Sequence, residues 1–151
     1  MDEAEKHFQQ GMKYYKTEYY DKAQGELFRA AKLDSTKPLY ISYLGLAVAR
    51  ATSRYDEAET LCHSALKLMR TDPQAYLNLA QVYIWAGRKE DAVDTLSMGL
   101  LYTKRDLRLL RLLRKLGVRR PAVLTSLDRK HFLNKQLGKL RHKFLKIIGE
   151  E

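Results

Sequence analysis

Small residues return along this 151-residue chain at intervals of 34 or 35 positions. Gly11, Gly45 and Ala80 form one set, Ala23, Ala58 and Ala92 a second, and Ala30, Ala65 and Gly99 a third. A repeat of this period constrains the fold more tightly than composition does. Each copy must be one supersecondary unit that buries its apolar face against its neighbours. The flanking pattern repeats as well. The first half of each copy reads His7-x-x-Gln10-Gly11-x-x-Tyr14, Ile41-x-x-Leu44-Gly45-x-x-Val48 or Tyr76-x-x-Leu79-Ala80-x-x-Tyr83, and the second half reads Ala23-x-x-x-Leu27, Ala58-x-x-x-Cys62 or Ala92-x-x-x-Leu96. Spacings of three and four put these residues on one helix face, so each copy is two helices, broken near 17–19, 52–54 and Gly87. Glycine inside a helix costs about 1 kcal/mol relative to alanine, so Gly11 and Gly45 imply helices that cross too closely for a side chain. Pro38 and Pro73 fall at first helical positions, where a missing N–H costs nothing, and Asp72 precedes Pro73 as a cap.

Over residues 4–106 these copies, at about 4–37, 38–72 and 73–106, resemble tetratricopeptide repeats. The resemblance implies an all-α fold: a right-handed α-α solenoid of three helix pairs whose first helices line a concave groove. It also implies binding of peptides or partner proteins without catalysis. The chain departs from the pattern at His7 and Gln10, which replace apolar residues, and in a second copy one residue longer. It also lacks the proline expected near Ser35, Arg70 and Lys104.

In such a solenoid the arc beside each core stripe faces the groove. A helical wheel places Glu5, Phe8, Met12, Tyr15 and Lys16 on that arc in the first copy. Leu39, Ser42, Leu46, Ala49 and Arg50 follow in the second, and Gln74, Leu77, Gln81, Ile84 and Trp85 in the third. Phe8, Met12, Tyr15, Leu46, Arg50, Leu77, Gln81, Ile84 and Trp85 are the expected partner contacts, because a concave apolar surface with a few polar groups is what a bound segment buries. The competing expectation is that Phe8, Met12 and Trp85 pack on a neighbouring helix or on the chain's own tail. The carboxylate clamp by which some members of this family hold chaperone C-termini has no counterpart here. Its basic and amide positions are Phe8, Met12, Tyr43, Gln74 and Asn78.

The net charge of +10 is unevenly placed. Residues 1–106 hold 15 basic and 15 acidic residues, whereas the last 45 hold 13 basic residues against Asp128, Glu150 and Glu151. Such one-sidedness points to an anionic contact. Within it, RDLRLLRLLRKLGVRRP continues the repeat register as a half copy that ends near Gly117, with Pro121 beyond. Leu110 and Leu113 are expected in its core stripe, and Arg108, Arg111, Lys115 and Arg119 on the groove arc as a basic end that favours acidic ligands. Arg114 stands where earlier copies have Gly or Ala, so a further full repeat is not expected. Leu109, Leu112 and Leu116 would point away from stripe and groove. Their expected cover is an amphipathic C-terminal helix over about 127–148, with Leu133, Leu137, Leu140, Phe144 and Ile148 on one side. Thr125-x-x-Asp128 is its capping box and Gly149 its end. Residues 107–151 are thus expected to cap the repeats within one globular unit. The alternative readings of this basic region are contact with RNA, DNA or anionic membrane lipid, or docking on a second copy of the chain.

Other classes of function find no support in the residues. His7, His63, His131 and His142 lack metal-ligand spacing, no phosphate loop surrounds Gly138-Lys139, and no acid–base pair or nucleophile elbow is discernible, so neither metal, cofactor nor catalysis is expected. No apolar run approaches the ~18 residues of a membrane span. The acidic start MDEAEKHF is unlike a cleaved export signal, and one cysteine suits a reducing compartment, so a cytoplasmic setting is expected.

Overall fold

The computed structural model describes residues 2–117. Among the described residues there are seven helices and no strand: α1 Glu3–Lys16, α2 Tyr20–Leu33, α3 Pro38–Thr52, α4 Tyr55–Leu68, α5 Pro73–Trp85, α6 Lys89–Tyr102 and α7 Leu107–Lys115. Local chemistry sets several ends. Pro38 and Pro73 open their helices. The Asp72 carboxylate accepts from the Gln74 N–H at 2.9 Å, and Asp106 accepts from the Arg108 N–H at 2.8 Å. Each satisfies an otherwise orphaned donor, which stabilises a helix start by ~1 kcal/mol. Beyond α7, Gly117 takes φ +81°, the left-handed conformation that terminates a helix at little cost to glycine.

Within each hairpin the crossing is as tight as the glycines imply. A Cβ on Gly11 would stand 2.7 Å from Leu27 Cγ. One on Gly45 would stand 2.8 Å from Cys62 Sγ and 2.9 Å from the Ala58 carbonyl oxygen. In the third copy the small residue comes from the second helix, where a Cβ on Gly99 would meet Tyr76 Cγ at 2.8 Å. Leu27, Cys62 and Leu96, equivalent in the three copies, have no exposed surface. Burial pushes the Cys62 thiol up to about 12, so it packs as a small apolar group.

Successive copies stack α2 on α3, α4 on α5 and α6 on α7. The odd helices also pack on one another, α3 on α5 and α5 on α7, whereas no two even helices pack comparably among the described residues. A stack whose one layer is close and whose other is splayed curves toward the close layer. The odd helices therefore form the inner face. Hydrogen bonds confirm that they lie parallel and in register: Tyr40 to Glu5, Asn78 to Ser42 and Arg108 to Gln74 link residues 35, 36 and 34 apart.

Helix α7 departs from expectation. Leu109 and Leu113 are its buried residues, at 0% and 1% exposed, while Leu110, Leu112 and Leu116 are half-buried. Leu109 is equivalent to Ala75, on the side that faces the preceding copy, and its Cδ1 approaches Gly99. Leu110 corresponds to Tyr76, which faces its own partner helix; α7 has no such partner among the described residues. Helix α7 belongs with the repeats in one compact unit that ends at Gly117. The expected C-terminal helix and its capping box lie outside the described residues.

Two predictions follow from this packing. Gly45→Ala should destabilise the protein by about 1–3 kcal/mol in chemical denaturation despite alanine's better helix propensity, because the neighbours it strikes include backbone. Gly25→Ala in α2, where nothing lies within 4 Å of the added methyl, should stabilise by up to about 1 kcal/mol. The second concerns acid. The Tyr40 hydroxyl, which donates to Glu5 Oε2 at 2.7 Å, and then the Gln9 amide hold the Glu5 carboxyl below its ordinary 4.5. A depressed folded-state value adds stability above that ordinary pH and loses it as pH falls through the folded value. Tyr40→Phe should thus be less stable than the parent at pH 7, with the gap narrowing below pH 4.5.

Candidate functional site

The inner face is sorted by burial into a floor, a lining and charged edges. Phe8 and Leu46 are 9% and 5% exposed, and Ser42 and Ala49 are buried beside them. Met12, Tyr15, Leu77, Gln81, Ile84 and Trp85 are half-buried, with part of each side chain open. Arg50, Arg108, Arg111 and Lys115 are exposed. Phe8 and Leu46, expected as direct partner contacts, are therefore mostly structural. Arg119 lies outside the described residues.

Phe8 is covered by an aromatic cluster that bridges the first two copies. Tyr40 stacks on it with ring centroids 4.7 Å apart, and Tyr43 meets its edge at 5.8 Å. Tyr15 stands edge-on to Tyr20 at 5.5 Å and to Tyr43 at 6.5 Å. Such edge and offset geometries add about 0.5–1.5 kcal/mol per pair beyond the area they bury. Burial pushes the Tyr15 hydroxyl up to about 12, so at neutral pH it can donate a hydrogen bond and carries no charge.

A polar seam crosses the same face. The buried Asn78 donates from Nδ2 to Ser42 Oγ at 3.1 Å, while its Oδ1 accepts from Gln74 Nε2 at 2.8 Å. Gln74 Oε1 in turn accepts from Arg108 Nη1 at 3.1 Å. The Arg108 guanidinium is gripped from its other side by Asp106, with Nε to Oδ1 at 3.2 Å and Nη2 to Oδ2 at 3.0 Å. That guanidinium holds the Asp106 carboxyl below the usual carboxylate range. The seam satisfies buried polar groups and ties α3, α5 and α7 together. It also engages Arg108 within the chain, so Arg111, Arg114 and Lys115 are the cations of α7 with no acidic partner among the described residues.

At the other ends of the odd helices, Arg50 lies over two rings, 4.6 Å from the Tyr20 centroid and 5.2 Å from that of Trp85. Tyr20, Tyr40 and Tyr43 were not among the expected site residues. Tyr20 belongs to a second helix, so a wheel of the first helices cannot find it. Tyr40 and Tyr43 lie on α3 but off the arc assigned to the groove.

The five positions of the chaperone clamp carry no Lys or Arg here, and Asn78 is 2% exposed and bonded through both its amide nitrogen and its amide oxygen. A second polar group, Glu59 with Tyr83 and Arg88, lies between α4 and the third hairpin. Glu59 accepts from the Tyr83 hydroxyl at 2.7 Å and from Arg88 Nη1 at 2.6 Å. Burial raises the Glu59 carboxyl, but those two donors outweigh it and leave it lowered. It acts as a strut between copies. Among the described residues no cluster of three His, Cys, Asp or Glu is placed to hold a metal, and no helix is long and apolar enough to cross a membrane.

A family profile described as tetratricopeptide repeat matches residues 49–116. No curated protein matches the chain in sequence. Among solved structures, the first TPR domain of Spaghetti (RPAP3) bound to an HSP90 peptide is similar at TM-score 0.64 and 23% identity, over 76% of this chain and 92% of that one. The TPR2B domain of yeast Sti1 in complex with an Hsp70 peptide gives 0.65 and 20%, over 78% and 98%. The Sgt2 TPR domain from Aspergillus fumigatus gives 0.68 and 15%, over 89% and 95%. At these identities the likeness is one of fold. The profile match lies within residues 49–116, and over residues 3–116 the chain shares the fold of these TPR domains, three helix hairpins and the first helix of a fourth.

Proposed function

We propose that the protein is a non-catalytic adaptor that holds a segment of a partner protein along its inner face, with a basic end that favours acidic ligands. The observation that carries this reading is the half-buried apolar lining. Met12, Leu77, Ile84 and Trp85 are packed on one side and open on the other, beside exposed Arg50, Arg111 and Lys115. A partner that covers such a strip gains about 25 cal/mol for each Å² of apolar surface removed from water, and the neighbouring cations select acidic residues beside its apolar anchors. The similar solved domains include ones bound to HSP90 and Hsp70 peptides, which supports use of this face for peptides. With aromatic and amide groups at the clamp positions, the ligand chosen here differs from those peptides.

The uneven charge of the chain favours a second reading, in which residues 107–151 hold RNA or anionic lipid and the repeats serve as scaffold. Affinity purification with mass spectrometry, at moderate salt and with nuclease, separates the two. The adaptor reading predicts a protein partner that survives nuclease, is lost with Leu77→Ser or Trp85→Ala, and is retained on truncation after Leu124. Loss on that truncation, or release by nuclease, would support the second reading. Reversing charge at Arg111 and Lys115 together should weaken capture by about tenfold or more, the scale of two charge-assisted contacts. Unchanged capture would remove the basic end from the site.

A further inference from the structure

Arg50, at the end of α3, is held differently from the arginines that pair with acids. Arg29, Arg54, Arg88 and Arg108 each bond a carboxylate of their own chain. No acidic side chain of the described residues comes within ion-pair distance of Arg50. Its guanidinium is instead held by aromatic groups from two other copies, Tyr20 of the first and Trp85 of the third. Nη2 donates to the Tyr20 hydroxyl at 2.9 Å. Arg70 also lies over a ring, but over Tyr102 alone and away from the inner face. Aromatic faces attract a guanidinium through their quadrupole and fix its plane without using up its N–H donors. One of five donors is engaged, so a rigid fork remains open at the lip of the apolar lining.

From this geometry we infer that Arg50, framed by Tyr20 and Trp85, is a carboxylate receptor that fixes where an acidic group of a groove-bound protein segment sits. The inference rests on the adaptor reading and adds to it a specific residue and ligand group. A planar guanidinium with a free edge matches a carboxylate bidentately. A cavity of about 360 Å³ adjoins it, and the charged residues that line it are Glu18 and Asp21 against Lys22 and Arg50. That balance offers no field to attract a polyanion such as nucleic acid, whose binding depends on accumulated positive charge. It leaves directed hydrogen bonding to one carboxylate as the recognition. Because Trp85 frames the cation and also lines the groove, the acidic group should lie next to an apolar residue of the ligand.

The test uses the full chain and, as probe, a phage-displayed library of random dodecapeptides selected at moderate salt. Selected sequences are synthesised with free and amidated C-termini, and with each Asp or Glu changed to Asn or Gln. Binding is then measured by fluorescence anisotropy. Peptides that require the groove are recognised by their loss with Leu77→Ser. For these, Arg50→Ala should weaken binding by about 10- to 100-fold, the span of a hydrogen-bonded charge pair, and Arg50→Lys should restore little of it. The loss should vanish for the one peptide variant that lacks the receiving carboxylate. A side-chain substitution or the amidated end identifies its source. An equal loss for every peptide variant, or no loss, would overturn the receptor while leaving the adaptor reading intact. A library that yields no groove-dependent peptide would remove both. Loss of its ring contacts should lower the thermal unfolding midpoint of Arg50→Ala only slightly, and loss of folding would mark Arg50 as structural and count against the proposal.

Discussion

The close crossing of two helices at a residue without a side chain is the constraint from which the rest of this structure follows. At Gly45 the helices approach until Cys62 and the Ala58 backbone occupy the space a Cβ would need. A larger residue at that point would push the hairpin apart and shift each helix along its neighbour. Repeated in each copy, the crossing locks helices of nearly equal length into one register. Hydrogen bonds at a constant sequence offset can then form along the inner face. The penalty for glycine in a helix is offset many times over by the leucines, cysteine and aromatic groups that the tight approach buries.

That register sorts the inner face into parts with different physical roles. The Phe8–Tyr40–Tyr43 cluster and the seam from Ser42 through Asn78 and Gln74 to Arg108 are inward-directed, and the seam's side chains hydrogen-bond one another inside the chain. The half-buried residues and the free guanidinium of Arg50 are outward-directed. Two arginines at opposite ends of the odd helices thus differ in what they can offer. Arg108 is gripped by Asp106, whereas Arg50 is oriented by rings and has no carboxylate bonded to it. For the same reason, likeness of fold to TPR domains bound to HSP90 and Hsp70 peptides does not by itself carry their ligand with it. Fold sets where the groove runs, and the side chains at its positions set what it accepts.

Much of this was legible in the residues themselves. The period of 34 or 35, the proline and aspartate helix starts, and the buried set of Leu27, Cys62 and Leu96 all follow from spacing and side-chain size. What escaped was whatever depends on more than one helix at a time. Copying the register of α5 onto α7 placed Leu110 in the core. A terminal helix, however, packs chiefly on the copy before it, which buries Leu109. Phe8 falls on the groove arc of the wheel, yet Tyr40 from the next copy stacks on it, which is the neighbouring-helix packing weighed against the groove. Tyr20 was invisible to a wheel of single helices, since it reaches Arg50 from a different layer.

The central claim is that the inner face, and not the outer one, meets the partner. A photoreactive amino acid can be placed at Leu77 on α5, and separately at Met98, which is exposed on α6. The chain is then irradiated in its native cell and the adducts treated with nuclease. A protein adduct from position 77 that persists through nuclease, with none from position 98, is the result expected. Adducts formed equally from position 98, or adducts from position 77 that consist only of nucleic acid, would contradict it.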